Sequence, residues 1–271
     1  MSVRPRVMAT LDGYAVEGGF DRTGEPATCY SPTIALGRHA GPGDACALWS
    51  DYETVLDLAP TLGLHGVRLS IEWARIEPRR GEVNDEALAR YRAVATHARS
   101  VGLRVSVALI DAAWPAWLGL EAWLLPWVEP YVVEHARRLV EALGAAVDGV
   151  VVFADGPGIV ARGFVTGAAP PWRRRAVADA ASATEQIRRI ESTLCADDLV
   201  GPLVVARSRT LSLTRPIHEL SSELADAGVD EVYLRSLVGG FGPTGSPVGL
   251  VSRDARGWRV SASDQLRALW A

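Results

Sequence analysis

Lysine is missing altogether from this 271-residue chain, so all 28 of its basic residues are arginine. Without it there is no ε-amine for Schiff-base chemistry and no Walker-type phosphate loop. Cysteine is scarce too. Cys29, Cys46 and Cys195 are odd in number and far apart, with neither a Cys-x-x-Cys pair nor a Cys/His cluster of the kind that holds zinc. The five histidines show no metal spacing, and only His39 lies in a loop that could form a site. Neither a metal nor a cofactor is therefore expected. Like charge never runs beyond Arg173, Arg174 and Arg175, and the net charge is −4, which speaks against a nucleic-acid partner. No stretch of about 20 apolar residues occurs, and the first twelve residues carry no apolar signal core, so a soluble, cytoplasmic chain with no membrane partner is expected. The absence of Lys beside abundant Ala, Arg, Gly and Val suggests a GC-rich bacterial source.

What is present is a core-forming chain, 48% hydrophobic and long enough for one sizeable domain over residues 1–271. Short apolar runs at Val7–Leu11, Val67–Ile71, Leu103–Ile110, Val150–Ala154 and Leu203–Ala206 read as buried strands. Helical periods lie between them, over Ala45–Leu62, from an Asn84 cap to about Ser100, over Pro130–Leu143 and over Ala176–Leu194. Strands that are apolar throughout, alternating with helices, indicate a parallel sheet covered by helices, as a barrel or a doubly wound sheet. The long Gly- and Pro-containing stretch from Asp12 to Asp44 has no period and reads as a functional βα loop. The Gly240-x-Gly242-x-x-Gly245 string, interrupted by Pro243, reads as a turn.

The segment VRLSIEWARIEP at Val67–Pro78, followed by Gly81, Val83 and Asn84, resembles the second-strand signature of family 1 glycoside hydrolases, the β-glucosidase family. LDGYAVEGG at Leu11–Gly19, WPAWL at Trp114–Leu118 and FADGPGIVARGFVTG at Phe153–Gly167 are similar to that family's first, third and fourth strand regions. The tail Gly249–Trp270 resembles its closing hairpin and last helix. The resemblance implies a (β/α)8 TIM-barrel-like fold with its site at the C-terminal strand ends. Too little chain separates the fourth-strand motif from a last strand at Glu231–Leu237 for all eight units, so one or two βα units are expected to be missing. An edge left open that way is a route to a homodimer.

Retaining glycosidases use two carboxylates about 5–5.5 Å apart, one acid/base and one nucleophile. The resemblance places the acid/base motif Asn-Glu-Pro on Ala154-Asp155-Gly156 and leaves the Thr-Glu-Asn-Gly nucleophile motif without a counterpart. Its nearest match puts Arg207 at the Glu position, unless that segment is the fifth strand and the nucleophile strand is deleted. Ala15 stands where the family has Gln, and Asp111 where it has His. Arg68, which in the family lies beneath the nucleophile, is retained and needs a new partner. These positions give candidate catalytic residues Asp155, Asp111 and Arg68, with Glu17, Trp114, Trp172 and Arg207 as candidate substrate contacts. The competing reading has these acids as solvated loop residues or structural partners of Arg68. Glu72, in register with Arg68 and Ser70, is read as structural.

Three function classes fit. The leading one is a repurposed lyase, isomerase or cyclase of secondary metabolism, acting on a small glycoside-like or polycyclic molecule through Asp residues at the barrel mouth. The others are a pseudoglycosidase that binds a ligand or partner without chemistry, and a residual inverting glycosidase, whose carboxylates would stand about 6.5–9.5 Å apart.

Overall fold

The computed structural model describes residues 6–205, 208–212, 231–235, 250–254 and 257–260. Six parallel strands form one sheet: β1 (Arg6–Leu11), β2 (Gly66–Ser70), β3 (Arg104–Ile110), β4 (Gly149–Phe153), β5 (Ser208–Ser212) and β6 (Glu231–Arg235), in the order β4-β3-β2-β1-β6-β5. The sheet's edges are thus β4 and β5. Just before β5, Val204 makes a parallel bridge to Val150 of β4, and the Val205 N–H donates to the Val150 carbonyl at 2.9 Å. The segment just before β5 therefore reaches the opposite edge of the sheet, the arrangement of a barrel of the TIM type. The edge of β4 is thus occupied at Val150. Among the described residues the barrel has six strands rather than eight. A separate antiparallel hairpin, β7 (Val251–Asp254) with β8 (Gly257–Val260), occupies the position of the expected closing hairpin.

Four long helices cover the strands: α1 (Leu48–Thr61), α2 (Asp85–Ser100), α3 (Val128–Leu143) and α4 (Val177–Cys195). Helix α2 shows why these segments fold as they do. Asn84 caps it by accepting the Ala87 N–H at 3.0 Å, and Asp85 and Glu86 in the first turn oppose the helix dipole. Leu88, Tyr91, Ala95 and Ala98 then recur at intervals of three and four and are buried against the sheet.

Strands β1 to β4 are largely apolar because both of their faces are buried. Val7, Ala9, Leu11, Val67, Leu69, Val105 and Val107 join the helices in the main core. Met8, Ala108, Val151 and Tyr233 form a second, smaller cluster inside the barrel. Gly66 belongs to this inner face: a Cβ there would lie 2.4 Å from the Arg104 carbonyl and 2.6 Å from Met8 Cε.

Two strand expectations shift. Of the apolar run Leu203–Ala206, the described residues contribute the Val204 bridge and the Val205 hydrogen bond to β4, and the strand itself begins at Ser208. The expected loop from Asp12 to Asp44 contains two short helices, Gly13–Val16 and Ser31–Ala35.

Candidate active site

Arg68 and Ser70 share the inward-facing phase of β2, and Glu72 continues it two residues past Ser70. Arg68 is 3% exposed, and its guanidinium lies 4.7 Å over the ring of Tyr233. Tyr233 pairs in register with Met8 of β1, so the cation sits inside the barrel against a β6 side chain. That ring is the new partner which the sequence left open.

Asp111 follows directly on β3 and is half-buried, and its Oδ2 accepts the Ser70 hydroxyl at 2.6 Å. Asp155 follows β4, but its carboxylate is committed elsewhere. Oδ1 accepts the Gly158 N–H at 2.9 Å, which caps the short helix Gly156–Val160, and Oδ2 meets Arg162 at 3.1 Å. The cation beside Asp155 is therefore Arg162 and not Arg68.

Glu17 does not stand at the mouth. It is 6% exposed, its Oε2 lies 3.0 Å from Arg75 Nε, and the Tyr91 hydroxyl approaches both of its oxygens at 2.9 Å. Arg75 also donates to the Gly18 carbonyl and is sandwiched between the Phe20 and Trp49 rings, 4.2 and 4.1 Å from their centroids. Burial pushes the Glu17 carboxyl up, against the pull of Arg75 and the Tyr91 hydroxyl. Glu17 lines a cavity of about 20 Å³ together with Leu11, Leu69 and Ser70 of β1 and β2 and Leu48, Tyr52 and Val94 of α1 and α2. Glu17 is thus a structural ion pair rather than a substrate contact.

The loop after β1 is organised by Asp21. Its carboxylate accepts from Thr28 N, Thr28 Oγ1, Ser31 Oγ and the Tyr14 hydroxyl, which offsets its left-handed φ of 65°. Tyr14 stacks on Tyr30 at 5.5 Å, Tyr30 meets the edge of Trp172 at 6.2 Å, and Trp172 stacks on His39 at 6.0 Å. This chain of rings joins the segment after β1 to the segment after β4. Trp172 Nε1 and His39 Nδ1 are buried and have no hydrogen-bond partner among the described residues. Trp114 is different. It is 2% exposed, its Nε1 donates to the Gly119 carbonyl at 2.9 Å and its ring packs on Trp123, so it has no face to offer a ligand. Arg207 lies outside the described residues, as does the Gly240–Gly245 string.

Glu72, read from sequence as structural, is the residue the fold makes most conspicuous. It is 2% exposed, and its Oε1 accepts the Tyr14 backbone N–H at 2.8 Å. Burial raises its pKa well above the ordinary carboxyl value, and the charges of Glu17 and Asp111 push the same way. The hydroxyl of Tyr30 is likewise raised, mainly by burial, while the charge of Arg162 opposes that and those of Asp111 and Glu72 add to it. The signal in the sequence was a carboxylate in phase with Arg68 and Ser70 at the C-terminal end of a barrel strand. Among the described residues no group of three or more His, Cys, Asp or Glu could hold a metal, and no helix is long and apolar enough to cross a membrane.

Residues 9–191 match the family model described as glycosyl hydrolase family 1. The chain belongs to glycosyl hydrolase family 1. Within this family it is 27% identical over 177 residues to the rice (Oryza sativa subsp. japonica) protein "Beta-glucosidase-like SFR2, chloroplastic", covering 62% of this chain and 27% of the relative. It is 29% identical over 117 residues to "Galactolipid galactosyltransferase SFR2, chloroplastic" of Arabidopsis thaliana, covering 41% of this chain and 19% of that one. The chain thus spans about a quarter or less of the length of these relatives. Among solved structures, the AHE enzyme from Alicyclobacillus herbarius superposes with a TM-score of 0.77 at 14% identity, over 99% of this chain and 98% of that one. At that identity the likeness shows the fold alone.

Proposed function

We propose that this family 1 chain has given up retaining glycoside hydrolysis and performs acid–base chemistry on a small glycoside-like or polycyclic molecule at the barrel mouth, as a lyase, isomerase or cyclase. The observation that carries this reading is the state of Asp155. It stands where the family resemblance expects the acid/base Glu, it is one methylene shorter, and both of its oxygens are engaged, by Gly158 N–H and by Arg162. A withdrawal of about 1 Å alone is enough to cost roughly a hundredfold in rate. No Thr-Glu-Asn-Gly motif is present to supply the nucleophile. One of the relatives carries the name of a galactosyltransferase, so chemistry other than hydrolysis is at home among its kin. Asp111 at the end of β3 and the rings from Tyr30 to Trp172 would suit a ligand with a flat face and titratable oxygens.

The test is a screen of aryl β-glycosides at high protein concentration, with wild type, Asp155→Asn and Asp111→Asn side by side. No release of the aryl group above background is expected from any of the three. Turnover by wild type that disappears in Asp155→Asn would restore a working glycosidase and overturn this reading.

A further inference from the structure

With Asp155 held by its own helix and by Arg162, an acid–base enzyme needs another proton donor. Glu72 is seated for that task. Gly13 lies directly against it, and a Cβ at that position would come within 2.8 Å of both Cγ and Oε1 of Glu72, so the carboxyl fills a cradle left open by a glycine. The Tyr14 N–H at Oε1 is the only hydrogen bond its carboxyl makes to the described residues. An oxygen that accepts an N–H leaves the other to carry the proton. Burial favours the protonated form of the group, and the nearby carboxylates of Glu17 and Asp111 act in the same direction. Its other oxygen, at the end of a barrel strand, makes no hydrogen bond to the described residues.

Asp111 is the complementary group. It ends the neighbouring strand, it is only half-buried, and the Ser70 hydroxyl two residues before Glu72 holds its Oδ2 at 2.6 Å. Two carboxyls side by side in unequal surroundings divide into an acid and a base. A second observation points to a ligand: the buried Nε1 of Trp172 and Nδ1 of His39 have no hydrogen-bond partner among the described residues. Their rings connect through Tyr30 and Tyr14 to the backbone N–H that binds Glu72.

We propose that Glu72 and Asp111 are the acid/base pair of this site, Glu72 giving a proton to an oxygen of a neutral ligand with a flat apolar face and Asp111 taking one from it. This assignment rests on the acid–base reading above. In one cycle the Glu72 O–H bond breaks as the ligand oxygen gains the proton, and Asp111 accepts a proton from a ligand C–H or O–H. Glu72 is left as carboxylate and Asp111 as acid, and exchange of one proton through solvent resets both. The ligand's atoms are conserved, rearranged or divided by elimination.

The pair is testable without its natural substrate, using the neutral aryl epoxide 1,2-epoxy-3-(4-nitrophenoxy)propane. Asp111 Oδ attacks an epoxide carbon, the C–O bond opens, and the departing oxygen takes the Glu72 proton, leaving an ester on Asp111. Wild type is expected to be labelled at Asp111, as located by peptide mass spectrometry. Asp111→Asn is expected not to be labelled there, and Glu72→Gln to react about a hundredfold more slowly. Thermal unfolding establishes that each variant is folded. Independently of any variant, labelling of wild type should fall as pH rises and Glu72 loses its proton. No labelling of Asp111 in wild type, a Glu72→Gln rate equal to wild type, or a flat pH profile would each overturn the pair. Absence of labelling leaves the acid–base reading of the chain intact, whereas hydrolysis of aryl glycosides beside normal labelling would overturn that reading and leave the pair standing.

Discussion

Acid lability centred on one histidine is the sharpest physical consequence of this fold. His135 lies in α3, fully buried, with its ring stacked on Trp73 at 4.6 Å and 15°. Burial, with the nearby charge of Arg138, pushes its pKa from the ordinary 6.5 down to about 3. The unfolded chain binds a proton there near pH 6.5 while the native state refuses it until about pH 3. The contribution of neutral His135 is therefore complete above pH 6.5 and is lost as pH falls toward 3. Each pH unit in that window removes about 1.4 kcal/mol, so the loss at pH 5 is about 2 kcal/mol. His135→Phe keeps a flat ring against Trp73 and removes the titration. Urea unfolding at pH 7 and pH 5 should show wild type losing about 2 kcal/mol more than the variant over that interval. The comparison cancels other groups, including Glu72, whose raised pKa acts with the opposite sign and favours the fold as pH falls. Parallel losses in the two proteins would refute the reasoning.

The buried Glu17–Arg75 pair gives a second prediction. Removing one partner strands the other in the core, so Arg75→Met should cost about 3–5 kcal/mol in chemical denaturation, and Glu17→Gln combined with Arg75→Met should cost less than Arg75→Met alone. A loss below about 1 kcal/mol for the single change would show that water reaches the pair. Inside the barrel, Gly66→Ala forces a Cβ to within 2.4 Å of the Arg104 carbonyl and should destabilise by about 1–3 kcal/mol or more, whereas Gly102→Ala meets no atom within 4 Å and is strained only by its φ of 86°. Equal melting temperatures for Gly66→Ala and wild type would contradict the tight inner packing.

The helices were legible because their signals are local. Asn84 and the spacing of Leu88, Tyr91 and Ala95 are enough to place α2 at Asp85–Ser100. Strand β5 was misplaced because Leu203-Val204-Val205-Ala206 has the apolar run of a buried strand, whereas Ser208-Arg209-Thr210-Leu211-Ser212 does not. The candidate site was legible only in part, and the reason is distance along the chain. Glu72 takes its anchor from Tyr14, 58 residues away, and Glu17 takes its partner Arg75 across the same gap. Asp155 looked like a shortened catalytic acid, but the Gly158 N–H three residues on made it a helix cap. Trp114 and Trp172 read alike in sequence and part company in the fold, one in the core and one half-buried beside Tyr30.

The central claim is that this family 1 barrel no longer performs retaining hydrolysis. A retaining enzyme must pass through a covalent glycosyl–carboxylate intermediate. The most direct measurement is therefore the intact mass of the protein after incubation with an activated 2-deoxy-2-fluoro β-glycoside, which halts a retaining enzyme at that stage. The account predicts an unchanged mass. A single glycosyl adduct on an aspartate or glutamate of this chain would contradict it.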